Sequence, residues 1–234
     1  MTQVSASWPV AEKSEVERFL ARTDLEAYQR MELPHGLSTG GRDRSRSVEA
    51  VFAHPVAGRS VLDVGCKYGF FCHEALLRGA SRVKGIDIEA KNVEITAEIA
   101  RLWGRPIEAE QVDLLDLDDG PFDVVLFLNV LHHVVDPVAI FRKIGELTRE
   151  RAVVEFATPF DHQTGLGRVA KRLLRPLLDD KPLVYVGDRR YHRVWYFSGP
   201  ALRNLLVEHL GVFRRVELRR SPQWRGRMLA HCWK

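Results

Sequence analysis

Apolar positions recur along this chain with two different periods, and the change from one to the other marks out the elements. Between residues 12 and 31, Val16, Phe19 and Leu20 fall at helical spacing among charged residues, which predicts one or two amphipathic helices. The polar, glycine-rich stretch "ELPHGLSTGGRDRSRS" that follows predicts a loop. From Arg59 onward, short apolar runs alternate with helical patterns. "SVLDV", "RVKGIDI", "IEAEQVDL", "FDVVLFLNV" and "RAVVEFAT" read as five strands in that order. "FFCHEALLRG", "AKNVEITAEIARLWG" and "PVAIFRKIGELT" read as helices among them, the first two stopped by Gly79 and Gly104 and the third opened by Pro137. The fourth strand is nearly all apolar, which predicts a central place in a sheet covered on both faces.

Strand and helix in alternation imply right-handed crossovers and a parallel sheet, so the fold class is α/β and doubly wound. An irregular insertion near residues 159–196 precedes a capped helix, "SGPALRNLLVEHLG", and two runs, "FRRVELRR" and "RMLAHCWK", that predict an antiparallel pair. The sheet then holds about seven strands. Residues 1–58 form a helical N-terminal extension and residues 59–234 the main domain.

In such sheets a ligand sits outside the carboxyl ends of the strands, near the point where strand order reverses. Gly65 and Gly69 let the backbone pass close beneath a ligand at the first strand end. Asp87 ends the second strand, 24 residues after Asp63, close to the spacing of a ribose-binding acid. Lys67 stands where a pyrophosphate-binding turn needs its middle glycine, which implies a ligand with a ribose but no pyrophosphate. Asp113 closes the third strand, and Asn129 closes the fourth.

Composition narrows the picture only a little. The 234 residues are 45% hydrophobic and 28% charged, as in an ordinary water-soluble globule, and no apolar run is long enough to span a bilayer. The first residues lack the pattern of a secretory signal, and three cysteines at irregular spacing do not make a disulfide framework, so a cytoplasmic setting is expected. Cys66 with Cys72, or His132 with His133, lack structural zinc spacing, and no metal is expected. The net charge of +4 permits an anionic partner without requiring one.

At this point the sequence resembles the class I S-adenosylmethionine-dependent methyltransferases, over about three quarters of the chain, from Arg59 to Lys234. The resemblance implies a Rossmann-like methyltransferase sheet and S-adenosyl-L-methionine as cofactor. "DVGCKYG", with Asp63, Gly65, Cys66, Lys67 and Gly69, would lie beneath its methionine part. Asp87 with Ile88 would meet the ribose, and Asp113 with Leu114 the adenine. Asn129, Val130 and the rest of "LNVLHHV" would line the sulfonium and the acceptor. A narrower resemblance joins "YQRMELPHGLSTGGRD", "SVLDVGCKYGFF" and "VWYFSGPALRNLL" to the bacterial enzymes that modify wobble uridine in tRNA. Methyltransferases that tailor small natural products share the pattern.

Methyl transfer from a sulfonium needs mainly alignment and exclusion of water, with a base only where the acceptor must lose a proton. His132 or His133 could supply that base, and Glu155, inside the fifth strand, is either a further candidate or the buried partner of an arginine. Tyr28, His35, Arg42, Tyr191 and Trp195 are candidates to hold the acceptor. The polar loop, taken as residues 24–47, is expected to be a mobile lid over the strand ends. The leading function is methylation of an oxygen or nitrogen on a small, ring-containing metabolite. The alternative is modification of a tRNA wobble base, for which the mixed aromatic and basic "VYVGDRRYHRVWYFS" would serve as a stacking surface. A non-catalytic nucleotide-binding module is the third reading.

Overall fold

The structure is a computed structural model that describes residues 9–22, 25–161, 167–187 and 195–234. Its centre is β1 (Ser60–Val64), flanked in parallel by β2 (Arg82–Asp87) on one side and β4 (Phe122–Leu128) on the other. β3 (Ile107–Gln111) extends the sheet beyond β2, and β5 (Thr148–Ala157) extends it beyond β4. β9 (Arg227–Trp233) then runs antiparallel to β5, with β8 (Arg215–Arg220) antiparallel to β9 at the edge. The seven-stranded order is therefore β3-β2-β1-β4-β5-β9-β8, and strand order reverses between β1 and β4.

Alternation along these strands sends side chains to two buried faces. Val61, Val83, Val124 and Leu126 pack beneath α2 (Ser45–Val51) and α3 (Phe70–Leu77). Leu62, Val64, Val125 and Phe127 face α5 (Pro137–Leu147) and α7 (Gly199–Asn204), which runs on into a π-helical turn at Leu205–His209. Both caps are built into the sequence. Asp136 accepts from Val138 and Ala139 N–H at the start of α5, and Ser198 Oγ from Ala201 N–H at the start of α7.

A third cluster sits outside the sheet. α1 (Lys13–Leu20) and the segment after it bury Val16, Phe19, Met31 and Leu33 against Tyr68 and against Ile95, Ile99 and Leu102 of α4 (Ala90–Leu102). Here the expected layout needs correction. Among its described residues the region read as helix holds only the eight residues of α1, while the stretch read as loop runs into the start of α2 at Ser45. Asp43 Oδ1 accepts from Ser45 N–H at 2.8 Å where α2 begins, and Val48 and Val51 give the helix buried anchors.

Residues 25–44 form a hairpin-like excursion with isolated bridges at Gln29–Arg42 and Glu32–Ser38. Its root lies by the carboxyl ends of the strands, where Tyr68 Oη accepts from Glu26 N–H. Its tip lies at the opposite end of α4, where Trp103 Nε1 donates to Glu32 O and His35 Nε2 to Ala11 O. α4 is 13 residues long, about 20 Å. The tip is thus remote from the strand ends. The insertion after β5 holds α6 (Arg168–Leu178) and a two-stranded sheet of β6 (Val184–Val186) with β7 (Trp195–Phe197).

Candidate active site

The turn after β1 has three left-handed residues, Gly65 (φ 71°), Lys67 (φ 52°) and Gly69 (φ 74°). A Cβ on Gly65 would lie 2.6 Å from Val130 Cγ2, and one on Gly69 2.7 Å from Thr96 Cγ2. Both glycines are therefore required by the protein's own packing as well as by the turn. Lys67 tolerates the same conformation with its amide held by Asp87 Oδ2 at 3.0 Å. Its ammonium donates to Glu26 Oε2 at 2.9 Å, over the rings of Tyr28 and Tyr68 at 5.4 Å each. That hydrogen bond holds the Glu26 carboxyl below its ordinary range. Lys67 and Tyr28 thus meet at the root of the hairpin, where the sequence indicated neither partner.

Asp63 is buried in the sheet, with the Cys72 thiol 3.6 Å from Oδ2. Burial pushes its carboxyl up to about 7, and the charge of Asp87 adds to the effect. The Cys66 thiol points inward, near Thr96 Oγ1 at 3.8 Å, so only its main chain is left to meet a ligand. Gly85 on β2 was not singled out by the sequence. A Cβ there would lie 2.9 Å from Cys72 Sγ and 3.0 Å from Cys66 Sγ, so the two thiols occupy its side-chain space.

Asp87 accepts three hydrogen bonds of 3.0 Å, from Lys67 N–H, Glu89 N–H and Asn92 Nδ2. Asn92 and Thr96, which stitch α4 to this turn, were also missed. Their positions on an amphipathic helix look ordinary in the sequence. Ile88 beside Asp87 is 64% exposed, an apolar shelf at the strand end. Asp113 is exposed and caps the following turn, with Oδ1 2.9 Å from Leu115 N. Leu114 is buried in the core, so its side chain does not frame a ligand.

At the end of β4, Asn129 also adopts a left-handed backbone (φ 63°). Its amide donates to Glu155 Oε2, and its carbonyl oxygen accepts from Arg227 Nη1. Glu155 is 0% exposed and is further held by Arg44 Nη2 at 3.4 Å and Ser221 Oγ at 2.6 Å. It has no surface from which to touch a substrate, which corrects its candidacy as a base. Arg227 in turn pairs with buried Asp161 at 3.2 Å. His132 is buried and His133 exposed, their rings 4.2 Å apart. β7 lies against this segment, bringing half-buried Trp195 beside it. Tyr191 lies outside the described residues, as do residues 188–194 of the aromatic and basic stretch around it.

Two N-terminal expectations change. His35 belongs to the hairpin tip and is not an acceptor ligand. The segment at 24–47, whose residue 24 lies outside the described residues, is a docked hairpin and not a strap across the strand ends; only Glu26–Tyr28 and Arg42–Arg44 approach the site. A cleft of about 490 Å³ opens between the hairpin, α2 and α3, lined among others by Arg30, Asp43, Phe70 and Glu74. Among the described residues, no group of three or more His, Cys, Asp and Glu gathers as a metal site would require, and no helix is long and apolar enough to cross a membrane.

The order of motifs around this switch point has a match among known families. Residues 37–220 match the methyltransferase domain family. The chain belongs to that family. It is thereby placed in the class I S-adenosylmethionine-dependent methyltransferase superfamily, and the match takes in α2, which lies within the segment read as an extension. The chain is 31% identical over 160 residues to a ubiquinone biosynthesis O-methyltransferase of Chromobacterium violaceum, covering 67% of this chain and 66% of that protein. It is 36% identical over 107 residues to the enzyme of the same name from Neisseria meningitidis, covering 44% and 45%. The matches thus span from under half to two thirds of these relatives' length. Among solved structures, magnesium protoporphyrin IX methyltransferase of Synechocystis with bound SAH superposes with a TM-score of 0.56 at 20% identity, covering 81% of this chain and 80% of that one. A Burkholderia thailandensis 1,6-didemethyltoxoflavin-N1-methyltransferase, bound to its substrate and S-adenosylhomocysteine, gives 0.57 at 21%, covering 82% and 77%. At such identities the likeness speaks for the fold. These relatives lend no support to the narrower wobble-uridine resemblance.

Proposed function

We propose that this chain is an S-adenosylmethionine-dependent methyltransferase acting on an oxygen of a small, ring-bearing metabolite. The observation that carries the reading is the convergence of Gly65–Gly69, Asp87 and Asn129 at one switch point of a methyltransferase-family sheet. The donor set fits the cofactor. Asp87 uses three of a carboxylate's roughly four acceptor positions, leaving room for a ribose hydroxyl. Asp63 offers a buried carboxyl that a cationic ligand would ionise. Ile88 offers apolar surface beside them. Asp87 would thus hold the ribose, the Gly65–Gly69 backbone the methionine part, and Asp113 the adenine edge.

S-adenosylmethionine, when bound, supplies a methyl group on a positively charged sulfur. The chain's own residues then align the acceptor and shed water around it. His133, exposed just past β4, would take the acceptor's proton, while buried His132 shapes the turn behind it. Glu155 acts through Asn129, fixing its left-handed backbone, and is a positioning residue. Oxygen is preferred as the acceptor atom because both curated relatives are named as O-methyltransferases.

Calorimetry should detect S-adenosylmethionine binding to the native protein. Asp87→Ala should weaken it about ten-fold or more, since a charge-assisted hydrogen bond contributes roughly 1.5–3 kcal/mol. Methyl-labelled cofactor should then label the small-molecule fraction of a metabolite extract, with His133→Gln lowering kcat at unchanged cofactor affinity. Native protein that ignores S-adenosylmethionine and binds a nicotinamide dinucleotide would falsify the proposal.

A further inference from the structure

A group of arginines beside the acceptor end has one charge more than its acids neutralise. Trp224, in the turn between β8 and β9, carries three guanidinium groups on its ring: Arg42 at 4.8 Å, Arg227 at 4.9 Å and Arg44 at 5.9 Å. Arg44 pairs with Glu155 and Arg227 with Asp161. Arg42 pairs with no carboxylate among the described residues; its side chain is exposed and rests on the indole alone. The remaining polar atoms point the same way. Trp224 Nε1 and Arg44 Nε are buried donors without a hydrogen-bond partner among the described residues, and Arg44 itself is 5% exposed. Buried donors of this kind are ordinarily satisfied.

The location ties the group to the site. Arg227 opens β9 opposite Ala157, at the carboxyl end of β5, and donates to Asn129 at the end of β4. The arginines therefore lie on the far side of the switch point from Asp87 and the ribose position, where the acceptor belongs. Gln223 Nε2, 3.0 Å from Asp43 O, holds the Arg42–Arg44 strip in place on the β8–β9 turn.

We infer that the acceptor carries a carboxylate, bound by Arg42 on its tryptophan platform with Arg44 and the Trp224 N–H behind it. This inference rests on the methyltransferase reading and narrows its substrate class. A carboxylate matches the single uncompensated guanidinium in charge and accepts its paired N–H groups in parallel. A neutral ring acceptor would leave the charge of Arg42 unmet.

The probes are 3,4-dihydroxybenzoate and catechol, which share the phenolic ring and differ by the carboxylate. Each is titrated calorimetrically into full-length protein saturated with S-adenosylhomocysteine. The acid should bind about ten-fold tighter than catechol, the order expected of one charge-assisted pair. Arg42→Gln should reduce that preference to within about two-fold, with S-adenosylhomocysteine affinity as the control for folding. Phenyl phosphate and benzoate form a further pair of probes, and tighter binding of the phosphate than of benzoate would overturn the carboxylate assignment in favour of a phosphate. Equal binding of acid and catechol, binding of neither, or a preference that survives Arg42→Gln would overturn the inference. Failure of S-adenosylhomocysteine itself to bind would instead strike the methyltransferase reading.

Discussion

Asp63 is a carboxyl at the centre of a sheet, and its surroundings set a pH dependence for binding. Burial keeps it neutral up to about pH 7, whereas a cationic ligand favours the charged form. S-adenosylmethionine binding at pH 6 should therefore release a proton, and affinity should rise as pH climbs through about 7. Calorimetry in two buffers of different ionisation enthalpy measures that release, and Asp63→Asn should abolish it. Folding stability responds to pH in the opposite direction. The folded pKa lies above the ordinary carboxyl value, so the neutral group's contribution is present at low pH and lost as pH rises through about 7. Asp63→Asn should accordingly raise Tm at pH 8. The strand-end residues Asp63, Asp87 and Asn129 were legible because a period-two apolar run fixes where a strand stops. The role of Gly85 was not, because it depends on two thiols brought from elsewhere, and for Glu155 the sequence offered a buried pair with an arginine without naming Arg44.

Among the elements, the five parallel strands and their helices could be read from periodicity, and so could the antiparallel β8–β9 pair. The hairpin and α2 could not. Glycine and proline in "ELPHGLSTGG" signal turns, and α2 is seven residues long, too short for its apolar spacing to register. What orders this segment is tertiary: Met31 and Leu33 against α4, and Arg44 against Glu155. Deleting residues 1–47 would bare Ile95, Ile99, Leu102 and Tyr68. The truncated chain should lose its cooperative thermal transition, monitored by circular dichroism. Retention of that transition would show the hairpin to be an independent appendage. The buried ion pair gives a finer expectation. Glu155→Ala strips three partners of their acceptor and should lower stability by about 3–5 kcal/mol in urea titrations. Glu150→Ala removes only the exposed pair with Arg59 and should change stability by less than about 1 kcal/mol.

Over the whole molecule, buried histidines set the acid limit. Burial depresses His231 to about 4 and His73 to about 3, helped by the charges of Arg151 and Arg105 respectively. Both are held neutral in place, His231 donating to Ala50 O at 3.0 Å and His73 Nδ1 accepting from Arg105 at 2.8 Å. A depressed folded pKa means the contribution is intact above the ordinary value near 6.5 and is lost as pH falls toward about 4. Tm should hold from pH 8 to 7 and fall steadily below 6.5, and His231→Gln, which keeps a donor for Ala50, should flatten the fall.

The sheet order also bears on how the molecule is assembled during synthesis. β9 lies between β5 and β8 although it follows both in the chain. Until Arg227–Trp233 leaves the ribosome, β8 has no neighbour to pair with and β5 shows an open edge. Arg227 and the Trp224 platform arrive at the same moment, so the proposed acceptor end of the site is made after Asp63, Asp87 and Asn129. A nascent chain stalled before β9 would carry the strand ends that face the cofactor beside an unpaired edge, the condition under which a foreign strand is most readily captured.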